Sequence, residues 1–402
     1  FKDRNFFYQC TDENELSDLL DKNRIRAYIG FDCTAESLHV GSLLQIMCLR
    51  LLQKFGHQPI VLLGGGTTRI GDPSGKDKTR KILSEKEIEK NSKNIKKILI
   101  KFLDNKNKKL KPIFVDNYKW LKKLNYISFL RDIGKHFTIN KMLTFDSVKT
   151  RLDREQSLSY MEFNYMILQA YDFLELNKKE NCVLQIGGSD QWGNIVNGVD
   201  LIKRHSNKKV FGLTTPLITL ASGSKMGKTT DGAVWLDKKF LSPYDYWQFW
   251  RNTDDRDVIR FLKYFTDMGI DEIKRIENNN INELKILLAN QTTSMLHGND
   301  EAKKSEEAAR EAFSENSSGS NLPSIKINKS TIEKKINILD LIIISKLEIS
   351  KSEIRRLIKG NAIKINNEIV DNDKIIIGKE LFKDNYLKLS IGKKRHLKIE
   401  IN

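Results

Sequence analysis

Five stretches of the 402-residue chain carry side chains able to bind and polarise a phosphorylated ligand. The first runs from Tyr28 to Ser42, and in it His39-Val-Gly-Ser opens an apolar-periodic run. A helix start offers free N–H groups and partial positive charge to phosphate, and a histidine there adds a donor. The same stretch also reads as a core βα unit whose histidine only caps the helix. The second is Gly64-Gly65-Gly66-Thr67 followed by Asp72, Lys76 and Arg80. Glycines admit close backbone approach, Asp72 suits an ammonium, and Lys76 and Arg80 suit phosphates. Spacing excludes a Walker A loop, and a surface turn with solvated charges is the other reading. In the third, Tyr165, Gln169 and Asp172 share one helical face on an otherwise apolar run. Polar groups there are costly to bury without a partner. A polar small molecule with an aromatic body satisfies them; so does water on a partly exposed helix. The fourth, Gly187-Gly-Ser-Asp-Gln-Trp-Gly-Asn, is a glycine turn before a helix. The fifth, Ser222 to Thr230, sets Lys225 and Lys228 in a Gly/Ser loop suited to clamping a triphosphate.

The elements that position these residues alternate. Strands are expected at Arg26–Phe31, Pro59–Gly64, Ile113–Val115, Val183–Ile186 and Val210–Thr219, with helices between. That order predicts an α/β fold, a Rossmann-type doubly wound parallel sheet. Its ligand site lies beyond the carboxyl ends of the strands, where most of the stretches fall. A lead-in helix takes Thr11 or Asp12 as its cap, and residues 84–111 form a Lys/Glu-rich solvated helix. Helical patterning with several aromatics over 118–150 suits a core flap or a subunit contact. We expect a catalytic domain over 1–241, a helical domain over 242–313, a linker over 314–330 and a small α+β module over 331–402. In that module, helices at 339–345 and 351–359 precede a hairpin turned at Asn366-Asn367.

Formal charge is +17 and the isoelectric point near 9.4. The excess favours a polyanionic partner, most simply nucleic acid; an AT-biased genome rich in Lys, Asn and Ile codons would give the same excess. Residues 323–402 hold 18 Lys and Arg against 10 Asp and Glu, so nearly half the net charge lies in the terminal module. There Lys351, Arg355 and Arg356 line a helix start as a phosphate-contacting surface or a solvated face. Four cysteines without metal-site spacing predict a reducing compartment and no structural metal. No apolar run is long enough to span a membrane, so we expect a cytoplasmic protein without membrane attachment.

Together these stretches closely resemble bacterial-type tyrosyl-tRNA synthetases, over nearly the whole chain. His39-Val-Gly-Ser is similar to the class I HIGH signature, and Lys225-Met-Gly-Lys-Thr to KMSKS. Tyr28-Ile-Gly-Phe-Asp, Gly71-Asp-Pro-Ser-Gly, the Tyr165–Asp172 run and the Gly187–Asn194 run resemble that family's own blocks. The terminal module resembles an S4 RNA-binding domain, and 243–313 the family's anticodon-side helical domain.

The resemblance implies that L-tyrosine binds with its phenol between Tyr28 and Asp172 and its ammonium at Asp72, Tyr165 and Gln169. Gln185, Asp190 and Gln191 then surround the carboxylate and the ribose, and Gly30, Asp32, His39, Gly187 and Lys228 belong to the ATP site. The carboxylate attacks the α-phosphate of ATP to give tyrosyl-adenylate and pyrophosphate. Thr34, His39, Ser42, Lys76, Arg80, Lys225 and Lys228 are expected at the developing charge. Positioning and electrostatics suffice, with Mg2+ escorting ATP and no tightly bound cofactor. The tyrosyl group then moves to the 3′ end of tRNA(Tyr), in a homodimer formed through roughly 118–150. Ser42 departs from the second histidine of HIGH, and Cys33 from the usual proline. A tryptophanyl-type synthetase is opposed by Tyr28 and Asp172. A non-catalytic RNA-binding protein on the same fold is the alternative from another class.

Overall fold

In the computed structural model, described residues are 1–402 apart from 75–81, 225, 230–231, 314–321, 323, 334–335, 346–349, 383–385, 393–394 and 402. They form two compact units: residues 1–240 with 254–281, and residues 241–253 with 282–402. Residues 254–281, read from the sequence as part of the helical domain, thus cluster with the first unit.

The first unit is built on six strands: β1 (Gln9–Cys10), β2 (Arg26–Asp32), β3 (Gln58–Gly64), β4 (Ile113–Asp116), β5 (Cys182–Gly188) and β6 (Phe211–Thr215). Their order across the sheet is β1-β6-β5-β2-β3-β4. β2 to β6 are parallel, and β3 is buried at every position after Gln58, as a strand covered on both faces must be. β1 runs antiparallel to β6, so the sheet is mixed rather than wholly parallel. Two residues flanked by polar neighbours carry no strand periodicity, and only the exposed edge of β6 recruits them.

From β2 the chain winds outward to β3 and β4, then returns to the other side of β2 for β5 and β6. The reversal between β2 and β5 opens a crevice at their carboxyl ends. Register sets what lies beside it: Tyr28 pairs with Ile60 on one side and Gln185 on the other. Helices Leu43–Lys54 and Glu85–Phe102 cover one part of the sheet, and Tyr165–Glu180 and Trp192–Ser206 pack together nearby. Helix Glu85–Phe102 is amphipathic, burying Ile88, Ile95, Ile98, Leu99 and Phe102, while its Lys/Glu face meets water. Asp12 caps the lead-in helix by accepting from Glu15 N–H. Residues 118–153 form four short helices, and a two-stranded ribbon, β7 (Lys228–Thr229) with β8 (Gly232–Ala233), follows β6.

In the second unit, helices Pro243–Arg251 and Asn299–Phe313 pack together. The terminal module has a five-stranded sheet of β9 (Ser324–Ile327), β10 (Ile363–Ile365), β11 (Glu368–Ile369), β12 (Tyr386–Ile391) and β13 (Arg395–Ile401), in the order β11-β10-β12-β13-β9. Helices Ile338–Ile344 and Lys351–Lys359 bury an isoleucine-rich face with it. Asn366 and Asn367 both adopt positive φ, 48° and 74°, as the two-residue turn between β10 and β11 requires.

Helix Asp255–Phe265 is tied to the start of the chain. The buried Arg4 guanidinium donates to the carbonyls of Lys263 (2.7 Å), Thr266 (3.0 Å) and Met268, where a helix end leaves acceptors free and favours positive charge. Arg4→Ala removes all three bonds and is expected to lower unfolding stability by about 2 kcal/mol, read by urea denaturation.

Candidate active site

The three glycines ending β3 make room for polar groups from the neighbouring strands. A Cβ on Gly64 would lie 2.1 Å from an Asp32 carboxylate oxygen, and one on Gly65 would lie 2.4 Å from an Asp116 oxygen. The close approach expected of a ligand is therefore made by this chain's own carboxylates, gathered at the mouth of the crevice.

At one end of the site, the Asp172 carboxyl on helix Tyr165–Glu180 is 1% exposed. Trp120 Nε1 donates to its Oδ1 (2.7 Å) and Asn117 Nδ2 to its Oδ2 (2.8 Å). Burial pushes the carboxyl up to about 8, against the lowering effect of those two donors. The buried Tyr28 hydroxyl has no hydrogen-bond partner among the described residues. Burial, helped by the Asp172 charge, raises this phenol well above its ordinary value, so it keeps its proton and can donate. Tyr28 and Asp172 do not bond each other: Asp172 is held by Asn117 and Trp120. Gln185 Oε1 and Gln169 Oε1 are likewise buried and unpartnered. An orphaned hydroxyl and two orphaned amide oxygens, beside a buried carboxyl, are groups that a polar ligand would satisfy.

Hydrogen bonds lead from there to the middle of the site. Asn117 Nδ2 also reaches Thr67 Oγ1 (3.0 Å), and Thr67 donates to Asp32 Oδ1 (2.8 Å). Tyr165 donates to Asp32 Oδ2 (3.1 Å), so its hydroxyl proton is already committed within the chain. Asp72 accepts from Ser74 N–H (2.9 Å) and from Gln191 Nε2 (2.9 Å), and Gln191 accepts in turn from Asn194 Nδ2 (3.0 Å). The carboxylates of Asp32 and Asp72 both contribute to the raised Tyr165 phenol, after burial. This is a local field suited to a cation.

At the third locality, His39 Nδ1 accepts from Gly41 N–H (3.0 Å). The histidine thus caps a 3-10 turn, Val40–Ser42. With Nδ1 an acceptor, neutral His39 carries its proton on Nε2, where it can be donated. The turn is pressed against Met226-Gly227. A Cβ on Gly227, whose φ is +97°, would lie 2.8 Å from His39 Nδ1 and 2.9 Å from Gly41 N. Val40 N–H donates to Val234 O (2.9 Å), and Trp235 sets its edge against the His39 ring. Ser42 makes no side-chain cap to the helix that follows it.

The expected residues are therefore unequally placed. Tyr28, Asp72, Tyr165, Gln169, Asp172, Gln185 and Gln191 are brought to the crevice end of β2 and β5. Gly187 is buried, while Gly30, Thr34 and Asp190 are exposed nearby. Lys76, Arg80 and Lys225 lie outside the described residues, and of Lys228 only the backbone is described. In the terminal module, Lys351 pairs with Asp340 (2.6 Å), Arg355 with Asp373 (2.9 Å) and Arg356 with Glu353 (2.5 Å). Each of these bases is thus ion-paired within the module. Asn117 and Trp120 were not singled out from the sequence as ligand-side groups. Asn117 directly follows β4, and the rule that points to strand ends would have found it.

Comparison with known proteins adds an independent line. Residues 20–314 match the family model of tRNA synthetases class I (W and Y), and residues 314–399 match a tyrosine–tRNA ligase SYY-like C-terminal domain. The chain is 76% identical over its full length to 98% of the tyrosine–tRNA ligase of Pelagibacter ubique. It is 54% identical over its full length to 97% of the one from the Wolbachia of Brugia malayi. A C-terminally truncated mitochondrial tyrosyl-tRNA synthetase from Aspergillus nidulans superposes with a TM-score of 0.70 at 31% identity, covering 78% of this chain and 92% of that one.

Gly227→Ala places a methyl group against backbone that cannot yield without moving the His39 turn. It is expected to lower the turnover of a phosphate-handling reaction by about a hundredfold, measured as kcat with the melting temperature followed in parallel.

Proposed function

The chain belongs to the tyrosyl-tRNA synthetases, joining tyrosine to tRNA with ATP as substrate, and we propose the following roles for its residues. Tyr28 and Asp172 read the substrate phenol: the Tyr28 hydroxyl donates to the phenol oxygen, and ionised Asp172 accepts the phenol proton. The orphaned Tyr28 hydroxyl beside the buried Asp172 carboxyl is the observation that carries this reading. Phenylalanine would leave the Tyr28 hydroxyl unsatisfied and bring Asp172 no further donor, and an indole offers a donor but no matching acceptor. Asp72, Gln169 and the lone pairs of Tyr165 hold the ammonium, supported by the nearby Asp32 carboxylate. Gln185 and Gln191 face the substrate carboxylate and Asp190 the ribose.

The carboxylate attacks the α-phosphate of ATP, which enters as its magnesium complex at Gly30, Asp32, His39 and Gly187. No covalent nucleophile is involved. Charge that develops on the phosphates is met by the His39 Nε2–H, Thr34 and the Ser42 hydroxyl, with Lys76, Arg80, Lys225 and Lys228 assigned to the same charge by resemblance. Ser42, which caps nothing, acts as a neutral donor in place of a second histidine. The tyrosyl group is then passed to the 3′ end of tRNA(Tyr).

The remaining assignments extend the same reading. Residues 1–241 form the catalytic domain, 242–313 lie on the anticodon side, and 331–402 form an S4-like RNA-binding module with Lys351, Arg355 and Arg356 at the phosphates. A homodimer forms through 118–150. Supporting it, Tyr126, Ile127 and Ile139 are 59%, 70% and 58% exposed in that segment, an apolar concentration that favours a partner surface. Among the described residues no helix is long and apolar enough to cross a membrane, and we assign the enzyme to the cytoplasm. The alternative of a non-catalytic RNA-binding protein is not favoured, because the full-length relatives are ligases.

Amino-acid-dependent ATP–pyrophosphate exchange tests the reading. Tyrosine is expected to support exchange and phenylalanine and tryptophan to fail. Asp172→Asn should lower kcat/KM for tyrosine by about a hundredfold or more; exchange with tryptophan would overturn the pocket assignment. The pH dependence follows from Asp172. A phenol that donates to the carboxylate favours its ionised form, so below about pH 8 binding releases a proton. Tyrosine affinity should therefore rise as pH approaches 8, by up to about tenfold per unit, and level off above it. Asp172→Asn should flatten the profile. Affinity that falls with rising pH would assign the proton to Asp172 instead.

A further inference from the structure

Residues 218–224 lead to Met226-Gly227 at the His39 turn and lie outside the six strands of the sheet. Met226 N–H donates to Ile218 O (3.0 Å), Leu220 N–H to Ser224 O (2.8 Å) and Gly223 N–H to Leu220 O (2.8 Å). Ile218 and Leu220 therefore bond inward, across the loop. As in any extended segment, the alternate residues turn their backbone groups the other way. On that outer edge an acceptor, Thr219 O, and a donor, Ala221 N–H, face helix Asp255–Phe265.

Both are taken by side chains one turn apart on helix Asp255–Phe265. Arg260 Nη2 donates to Thr219 O (2.5 Å), and Asp257 Oδ2 accepts from Ala221 N–H (2.8 Å). Arg260 and Asp257 also pair with each other (2.5 Å), and Asp257 is 3% exposed. A donor and an acceptor, themselves ion-paired, thus match an acceptor and a donor two residues apart on the loop.

The same helix region is fastened to the other side of the site. Arg50 Nε donates to Asp267 Oδ1 (2.8 Å), its Nη2 bonds Asp267 Oδ2, and Lys54 Nζ donates to Asp267 O (3.1 Å). Arg50 and Lys54 lie on helix Leu43–Lys54, which begins at the His39 turn. The contacts close a ring: His39 turn, helix Leu43–Lys54, Asp267, helix Asp255–Phe265, the Thr219–Ala221 edge, Met226-Gly227, and the His39 turn again.

We infer that Asp257 and Arg260 are positioning residues for tyrosine activation. By completing the outer edge of the 218–224 turn, they seat Met226-Gly227 against the turn that carries His39. They touch neither tyrosine nor ATP. The inference rests on the phosphate-side role proposed for His39, and it locates the geometry of that role in a helix remote from the ligand.

The test is steady-state ATP–pyrophosphate exchange by the full chain, with tyrosine binding followed separately by tryptophan fluorescence. Asp257→Ala and Arg260→Ala are expected to lower kcat by about tenfold or more while KM and Kd for tyrosine stay within about twofold of wild type. Because the two act as one unit, the double variant should lose little more than either single one. Arg260→Lys, which keeps a donor and the charge, should recover to within about threefold of wild-type kcat. Asp257→Asn keeps the shape and an acceptor for Ala221 and decides the matter if the alanine variants do not fold; its kcat should fall by about threefold or more with tyrosine KM held. Variants that melt earlier but turn over at the wild-type rate would overturn the inference, as would a parallel loss of tyrosine binding. A wild-type chain without tyrosine-dependent exchange would overturn the activation roles and this inference together. Normal wild-type exchange with unaffected variants would overturn this inference alone.

Discussion

A carboxyl group that is almost wholly buried has to be either neutralised or surrounded by donors, and Asp172 imposes that condition on the first unit. Asn117 and Trp120 meet it from the end of β4 and the short helix after it. Asn117 can do so only because Gly66 leaves room for its side chain and donates its N–H to the Asn117 oxygen (2.7 Å). The glycine run, the end of β4 and helix Tyr165–Glu180 are thereby fixed relative to one another by one polar group. What remains unsatisfied around it, the Tyr28 hydroxyl above all, defines the chemistry of what may enter.

The two ends of the site are built on different principles. Around Asp172 the groups are dry, rigid and set by strand register, since Tyr28 and Gln185 are direct partners across β2 and β5. Around His39 the fit comes from backbone contact, with two glycines allowing two loops to meet more closely than any Cβ would permit. The first arrangement suits discrimination between side chains that differ by one hydroxyl. The second suits a reaction whose charge is spread over several phosphate oxygens and needs geometry more than a reactive group.

Much of this was legible in the sequence because local rules and the tertiary fold agree. Continuous apolar runs marked the parallel strands, glycines marked their carboxyl ends, and Tyr165, Gln169 and Asp172 share a helical face in any helix. Asp12 and Asn366-Asn367 signalled their cap and turn through their own backbone chemistry. What stayed hidden depends on distant pairing. β1 exists only because β6 has a free edge. Asp257 and Arg260 look like an ordinary surface pair at i and i+3 until the 218–224 turn is laid beside them. The ion pairs of Lys351 and Arg355 were hidden in the same way, because their acidic partners, Asp340 and Asp373, lie 11 and 18 residues away.

The terminal sheet carries one more consequence. Its edge strand β9 pairs in parallel with β13, Ser324 opposite Lys398 and Ile327 opposite Ile401. The first strand of the module to be synthesised therefore waits for the last, some seventy residues later, before it gains a partner. Until then β9 is an unpaired, isoleucine-bearing edge. β10 can pair with β11 and β12 beforehand, but β9 joins the sheet only through β13, and truncation within β13 would expose both β9 and the flank of β12 at once.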